Sequence, residues 1–345
     1  MRNIALIVGD RIGDALTVLP LLRSLRKRYP KSEMTLIFMR DGAGKSLLLE
    51  NIEANEVTFG IDHRNNPENA RRVLRKLGVL RAQKFDIAVD VFPSTTRTAL
   101  LMFLLNAKKR IGTKWFLNKM NFVYDVTIDC EGKKSVDINK EIFEAITGSG
   151  IGYDTNIDFQ LDKRSKITDK RGQKVAIFLG SDGDIGRIWD VKKWKRLLEL
   201  IHKRHKELKF VSIGSMQERL NTQRLSSISR FKIEDRTGQT NVYDTMAFLR
   251  TCICLIATDG GPVHMAAINN VPVLVIMGNS PPQWRSFSSA SYVMDKDHDH
   301  GMCWKAKRCI FSKNGESCTD FILPEDVAMA FENKIYLQKR KFKLK

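Results

Sequence analysis

The fold is decided by one stretch of the sequence, CICLIATDGGPVHMAAINNVPVLVIM, which occupies residues 252–277. The apolar run 252–257 predicts a strand, and the loop after it contains two adjacent glycines. Pro262 then begins an apolar segment of helical length, and the run 271–277 predicts the next strand. Strand, glycine loop, helix and strand in this order are typical of a parallel sheet covered by helices.

The same alternation of strands and helices extends from this stretch over the rest of the chain. The apolar runs that predict further strands lie at residues 4–8, 34–38, 85–91, 175–179 and 210–213. The segments with helical patterns lie at residues 16–28, 98–105, 191–203, 242–250 and 324–331. Asp190 stands where it can cap the helix at 191–203. Between the two halves, residues 149–172 are polar and rich in lysine and arginine, which predicts a linker.

We therefore expect an α/β protein with two doubly wound parallel-sheet domains. Their predicted bounds are 1–160 and 172–325, followed by a terminal helix and basic tail at 326–345. A chain of 345 residues is long enough to build two such cores. Open parallel sheets bind ligands beyond the carboxyl ends of their strands. Two facing sheets are thus expected to form a cleft that holds one substrate on each domain.

The composition limits the class of partner. The formal net charge is +19, which indicates an anionic partner: nucleic acid, a phosphorylated glycolipid or an acidic membrane surface. A nucleic-acid-binding protein is disfavoured because the basic residues are scattered and no recognisable nucleic-acid-binding motif is present. No run approaches the ~20 apolar residues of a membrane helix, and the N-terminus lacks a signal-peptide pattern. We therefore expect a cytoplasmic protein whose six cysteines are thiols.

The loop at 258–264 has the composition of an anion-binding site. Gly260 and Gly261 leave backbone N–H groups unshielded, and Pro262 suits the first position of a helix. The N-terminus of that helix presents a positive end to an anion such as a diphosphate, and His264 lies within its first turn. The alternative is a structural Gly-Pro turn with a satisfied histidine, but the coincidence of three features favours the phosphate site.

Two further loops of the second half carry weaker signals. Arg187 follows the first strand of that half, where a cation can neutralise a diphosphate leaving group. Glu218 follows the next strand, where its carboxylate can accept hydrogen bonds from ribose hydroxyls. Alone, each is a weak signal, because charged residues are common in surface loops.

In the first half, the first strand is followed by Gly-Asp-Arg-Ile-Gly-Asp at residues 9–14. The Gly-x-Gly-x-x-Gly spacing of dinucleotide-binding loops is missing. Gly13 permits a tight turn, and Asp14 then stands at the start of a helix. A carboxylate there is either a helix cap or a base that faces the cleft, and capping is the more frequent role.

Together these loops resemble the lipopolysaccharide heptosyltransferase family, glycosyltransferase family 9, from about residue 3 to about residue 330. The early Gly-Asp pattern of the family, with its threonine and Pro-Leu end, appears at residues 13–22. The acceptor-side segment appears at 90–98 and 110–112. The most specific match is Thr-Asp-Gly-Gly-Pro-Val-His-Met-Ala-Ala at residues 258–267.

The resemblance implies a GT-B fold, with two facing Rossmann-like domains, and an inverting transfer that needs no metal. It implies Asp14 as the general base and Arg11 and Arg97 as acceptor-binding residues. The nucleotide sugar would be bound by the second domain, through Arg187, Glu218, Thr258, Asp259, Gly260, Gly261 and His264.

The function favoured by this resemblance is transfer of heptose from ADP-heptose to a lipopolysaccharide core acceptor. The acceptor would be an anionic glycolipid, met peripherally at the cytoplasmic face of the inner membrane, and no further cofactor is expected. Two enzymatic alternatives stay open: a GT-B transferase for another nucleotide sugar, and a nucleotide-sugar epimerase of similar fold.

Two groups of side chains resemble metal sites without matching one. Histidines and cysteines near the end of the chain lie close in sequence: His298, His300, Cys303, Cys309 and Cys318. Their irregular gaps lack the Cys-x-x-Cys-type spacing of structural zinc, so a structural role is expected. Asp182 and Asp184 form an acidic pair in a donor-side loop, which we interpret as a solvated turn.

Overall fold

The chain forms two compact units, Met1–Asn156 and Ile157–Lys345. The computed structural model describes residues 2–60, 67–91, 94–115, 118–180, 187–278, 280–286, 288–295 and 316–337. The boundary falls within the polar segment 149–172 that the sequence indicates as a linker. Among the described helices, none has the length and apolar composition needed to cross a bilayer.

The first unit is built on a six-stranded sheet. Its strands are β1 (Asn3–Val8), β2 (Glu33–Phe38), β3 (Asn55–Thr58), β4 (Phe85–Asp90), β5 (Ala107–Lys114) and β6 (Val126–Asp129). Its helices are α1 (Ile12–Arg28), α2 (Ala43–Leu49), α3 (Pro67–Ala82), α4 (Thr96–Leu104) and α5 (Ser135–Thr147). A 3-10 turn, Asn121–Val123, lies between β5 and β6.

The second unit is built in the same way. Its strands are β7 (Lys174–Phe178), β8 (Lys209–Ser212), β9 (Ile233–Asp235), β10 (Cys254–Thr258), β11 (Val273–Ile276) and β12 (Ser291–Met294). Its helices are α6 (Leu161–Arg164), α7 (Val191–Arg204), α8 (Arg219–Ile228), α9 (Val242–Thr251), α10 (Gly261–Ile268) and α11 (Pro324–Ala330). The last helix packs on α7, and its Val327 lies in the same core as Trp194 of that helix.

The two sheets have the same strand order. The first is β3-β2-β1-β4-β5-β6 and the second is β12-β11-β10-β7-β8-β9. When the second is read from β9 to β12 and its strands are numbered from the first of the unit, it has the order 3-2-1-4-5-6, like the first. Every strand pair in both sheets is parallel. The order reverses beside β1 and beside β7, and ligands of doubly wound sheets bind at such reversals. The predicted fold class, two Rossmann-like units of the GT-B type, is thereby confirmed.

The cores follow from the apolar runs that predicted the strands. Ala5 and Ile7 of β1 pack with Leu80 of α3 and with Ala99 and Met102 of α4. In the second unit, the buried Trp189 and Trp194 meet edge to face with ring centroids 5.2 Å apart. Asp190 caps α7 as predicted, because its side chain accepts a hydrogen bond from the backbone N–H of Lys192 at 2.6 Å.

One helix boundary differs from the prediction in a way that concerns the site. Helix α1 begins at Ile12, one turn earlier than predicted, and its N-cap residue is Arg11. Asp14 therefore lies inside the first turn and is not the N-cap. Its carboxylate still benefits from the positive end of the helix, but Arg11 and not Asp14 holds the N-cap position.

Candidate active site

Asp14 lies close to the carboxyl end of β1, on the first turn of α1 and partly buried. The loop that leads into this helix passes directly beneath its side chain. A Cβ added at Gly9 would lie 2.5 Å from both Cβ and Oδ2 of Asp14. Glycine at position 9 is therefore what lets this carboxylate fold back over the end of the strand.

Two charged residues of the loop before Asp14, Asp10 and Arg11, have different surroundings. Asp10 lies 3.6 Å from the Arg40 guanidinium, from its Oδ1 to Nη2, so it already has a cationic partner. Arg11 is exposed. Arg97, the other predicted acceptor-binding cation, is exposed on the first turn of α4, which follows β4. Because β4 pairs with β1, the structure places Arg11, Asp14 and Arg97 along the same edge of the first sheet.

A buried acid that the sequence did not single out for a role ends strand β4. The Asp90 side chain is fully buried, and its Oδ2 accepts a hydrogen bond of 2.6 Å from the Tyr124 hydroxyl. The Ser94 hydroxyl donates to the Asp90 backbone carbonyl, and the Thr113 hydroxyl bonds Ser94 at 2.9 Å. Burial raises the pKa of Asp90 to about 7, although the bond from Tyr124 acts in the opposite direction. This network fixes the start of the segment that carries Arg97.

Replacing Asp90 by asparagine is expected to change how stability depends on pH. The unfolded carboxyl titrates near 3.8 and the folded one near 7, so between these values the folded chain holds a proton that the unfolded chain has lost. The free energy of unfolding of the parent should therefore fall as pH rises from about 4 to about 7, by up to ~1.4 kcal/mol per pH unit. Asp90→Asn should gain stability relative to the parent over that interval, measured by urea unfolding at a series of pH values.

Asp86→Asn, on the same strand, is the matched control. Lys108 lowers the pKa of Asp86, so that variant should show no relative gain between pH 4 and 7. A stability difference between Asp90→Asn and the parent that stays constant over this interval would show that Asp90 is ionised in the folded chain.

In the second unit, the loops after β7 and β10 touch each other at Gly180 and Thr258. Gly180 has a φ of +79°, and a Cβ there would lie 2.6 Å from the Thr258 hydroxyl oxygen. The conformation and the close approach both require glycine. The Thr258 hydroxyl is buried and has no hydrogen-bond partner among the described residues. A buried hydroxyl without a partner can form a hydrogen bond to a ligand at the carboxyl edge of the sheet.

Asp259 and Arg187 form the charged centre of this site. Oδ2 of Asp259 accepts a hydrogen bond of 2.5 Å from the Ser280 hydroxyl and lies 3.7 Å from Nη1 of Arg187. The Arg187 guanidinium carbon also lies 5.0 Å from the centre of the Trp284 ring. A carboxylate and an aromatic ring thus hold the arginine at the site. Sequence reasoning missed Ser280 and Trp284.

His264 lies on α10 behind the two glycines, and its side chain is buried. Burial lowers the pKa of His264, and the nearby Asp259 only partly opposes that effect. The imidazole is therefore neutral near pH 7. Its Nδ1 is buried without a partner among the described residues. His264 can thus serve a ligand as a neutral hydrogen-bonding group.

Glu218 lies in the loop after β8, and its Oε2 is already engaged. That oxygen accepts hydrogen bonds of 2.6 Å from both the backbone N–H and the hydroxyl of Ser215, which forms a capping box. The second carboxylate oxygen, Oε1, lies outside this box. The start of the following helix reaches the other loops, because the Asn221 side chain donates to the Gly180 carbonyl at 3.2 Å. Ribose binding by Glu218 stays a prediction.

The residues weighed as metal ligands lie mostly outside the described ranges. Asp182, Asp184, His298, His300, Cys303 and Cys309 all fall there. Cys318 is described, and its side chain is buried. Within the described ranges, no group of three or more histidines, cysteines or acids is placed to hold a metal ion.

Comparison with known proteins identifies the class to which these two sheets and their loops belong. The family model of glycosyltransferase family 9 (heptosyltransferase) matches residues 72–311, which is more than half of the chain. The chain therefore belongs to glycosyltransferase family 9 and is a glycosyltransferase of the heptosyltransferase type.

Individual relatives agree with this assignment at low sequence identity. Lipopolysaccharide heptosyltransferase 3 of Escherichia coli strain K12 is 22% identical over 343 residues, covering 93% of this chain and 98% of the relative. The solved family 9 glycosyl transferase of Veillonella parvula DSM 2008 is 19% identical with a TM-score of 0.72, covering 96% and 97% of the two chains. E. coli heptosyltransferase WaaC, solved with ADP-2-deoxy-2-fluoro heptose, is 15% identical with a TM-score of 0.65, covering 88% and 97%.

Proposed function

We propose that the chain transfers heptose from ADP-heptose to the core of a lipopolysaccharide acceptor, with inversion and without a metal. The observation that carries the donor side is the placement of Arg187, held by Asp259 and Trp284 beside the glycine loop of α10. A fixed guanidinium next to backbone N–H groups and a helix N-terminus is suited to a diphosphate. In support, the solved structure of the relative WaaC contains an ADP-heptose analogue.

The proposed reaction is a single displacement. Asp14 takes the proton of the acceptor hydroxyl as that oxygen bonds to the anomeric carbon of heptose. The bond between the anomeric carbon and the phosphate oxygen breaks at the same time, and ADP leaves with its electron pair. Arg187 and the N–H groups of Gly260 and Gly261 stabilise the charge on the leaving diphosphate. The neutral His264 donates a hydrogen bond to the leaving diphosphate.

The donor proposal is tested by thermal unfolding in the presence of nucleotide sugars. ADP-heptose is expected to raise the unfolding midpoint most, because it is the proposed donor. A ligand that binds only the folded chain stabilises it by about 2.7 kcal/mol at a hundredfold excess over its Kd. The shift and the subsequent transfer should be the same in EDTA as in magnesium. GDP- and UDP-sugars serve as matched ligands with the same diphosphate and another base.

Each alternative gives a different result in the same assay. A larger shift with a UDP-sugar would identify a transferase for another donor. A sugar isomer formed without acceptor would identify an epimerase. Activity that is lost in EDTA and restored by magnesium or manganese would refute the metal-independent mechanism.

A further inference from the structure

The outer surface of the first unit carries five exposed apolar side chains on α3, α4 and the turn Asn121–Val123: Leu74, Val79, Leu100, Phe103 and Phe122. Phe122 is 79% exposed, Leu74 66% and Phe103 60%. We call this set the outer face. The other sides of the same three elements supply Leu80, Met102 and Val123 to one core cluster, so all three cover the same side of the first sheet. Large apolar side chains gathered on one exposed layer indicate an interaction surface.

The elements that carry the outer face are basic. Helix α3 carries five basic residues and one acid: Arg71, Arg72, Arg75, Lys76, Arg81 and Glu68. Helix α4 carries Arg97 and no acid, and Lys119 lies just before the turn Asn121–Val123. The basic side chains that are exposed beside the apolar ones include Arg71, Arg75, Arg81 and Lys119.

We propose that the outer face is the surface with which the chain lies on an anionic lipid bilayer. Leucine and phenylalanine side chains would enter the boundary between headgroups and acyl chains, and the arginines and lysine would meet lipid phosphates. A second copy of the chain fits this surface poorly, because a two-fold contact would bring the same arginines against each other. The inference rests on the proposed function only in that a lipid-linked acceptor is met at a membrane.

The test uses the full chain and vesicles of phosphatidylcholine with or without phosphatidylglycerol. Binding measured by co-sedimentation should require the anionic lipid and weaken with salt. Phe103→Ser/Phe122→Ser should lower the partition coefficient by about tenfold or more, and Arg75→Gln/Arg81→Gln should lower it by a similar factor. Leu323→Ser/Met329→Ser and Lys203→Gln/Lys206→Gln, which change exposed residues of the second unit, are the matched controls and should bind as the parent does.

A direct readout of insertion separates lipid contact from simple attraction between charges. Phe122→Trp should add fluorescence that shifts to the blue on anionic vesicles, whereas Met329→Trp should not. Unchanged vesicle binding in both outer-face variants would overturn the proposal. So would a changed molecular mass in solution without loss of vesicle binding, because that result assigns the face to a second copy.

Failure of this inference is distinguishable from failure of the proposed function. The vesicle measurements contain no sugar nucleotide. Binding of ADP-heptose, and transfer to a water-soluble deacylated acceptor, should be the same in the outer-face variants as in the parent. Loss of vesicle binding together with retained transfer to the soluble acceptor is the combined result that we expect.

Discussion

Asp14→Asn is expected to lower kcat/KM for transfer by ~10²–10⁴-fold, because the substitution removes the proton acceptor from the site. The fold should lose little. Asparagine has nearly the same shape, and the lost charge at the first turn of α1 is worth roughly 0.3–1 kcal/mol. The variant should bind ADP-heptose with nearly the parent affinity, since the donor is assigned to the second unit. Calorimetry with the donor and turnover with donor plus acceptor measure the two quantities separately.

Asp10→Asn is the matched control for this variant. Asp10 already pairs with Arg40, so its loss should affect turnover much less than the loss of Asp14. Near-parent turnover in Asp14→Asn would remove Asp14 as the base and make Asp10 the next candidate. Joint loss of donor affinity and thermal stability would show that Asp14 is a structural residue.

Arg187→Ala is expected to lower kcat/KM by ~10²–10³-fold, because the charge that develops on the departing diphosphate loses its fixed cation. Donor affinity should fall as well, since the same guanidinium contacts the diphosphate before reaction. Truncation also leaves the buried Asp259 carboxylate with one neighbour fewer, which adds to the loss. Kinetics with varied donor, together with calorimetric titration of ADP, measure both effects.

Three further variants test whether the loss of activity in Arg187→Ala is due to the missing guanidinium group. Arg187→Lys keeps the charge but not the planar group, and should recover part of the activity. Trp284→Leu keeps Arg187 but removes the ring beneath it, and should cost only a few-fold, consistent with ~0.5–1 kcal/mol for a cation over an aromatic ring. Arg196→Ala, on the exposed side of α7, should leave kinetics unchanged. Equal donor affinity in Arg187→Ala and the parent would place the diphosphate elsewhere.

The sequence predicts the strands that are apolar and the loops that follow them. Strands β1, β4, β7 and β10 flank the reversals of strand order, are buried on both faces and therefore appear as continuous apolar runs. Strand β5, AKKRIGTK, was missed because its lysines and arginine contradict that pattern. In the structure those long side chains turn outward or towards backbone carbonyls, as Lys109 does with Ala145 at 2.8 Å. The short strands β3 and β9 offer too few residues for a pattern.

The site was predictable where its residues follow a strand and not where they depend on contacts between distant segments. The loop at 258–264 could be recognised from its own composition. The bond of Ser280 to Asp259 and the position of Trp284 beneath Arg187 depend on the pairing of β10 with β7 and β11, which no local pattern contains. The neutral state of His264 follows from burial, which a sequence does not state.

The wholly parallel sheets also have a consequence for how the chain acquires its structure. Ile4 of β1 pairs with Ile87, and Val175 of β7 pairs with Cys254, so each central strand gains its second partner roughly eighty residues later. The described strands form no hairpin that could serve as an early, local nucleus, and such distant pairings make folding slow. During synthesis, the apolar strands β1 and β7 therefore have unpaired backbone N–H and C=O groups along one edge until β4 and β10 have been made. Aggregation of nascent chains, rather than low final stability, is thus the hazard that this architecture imposes during expression.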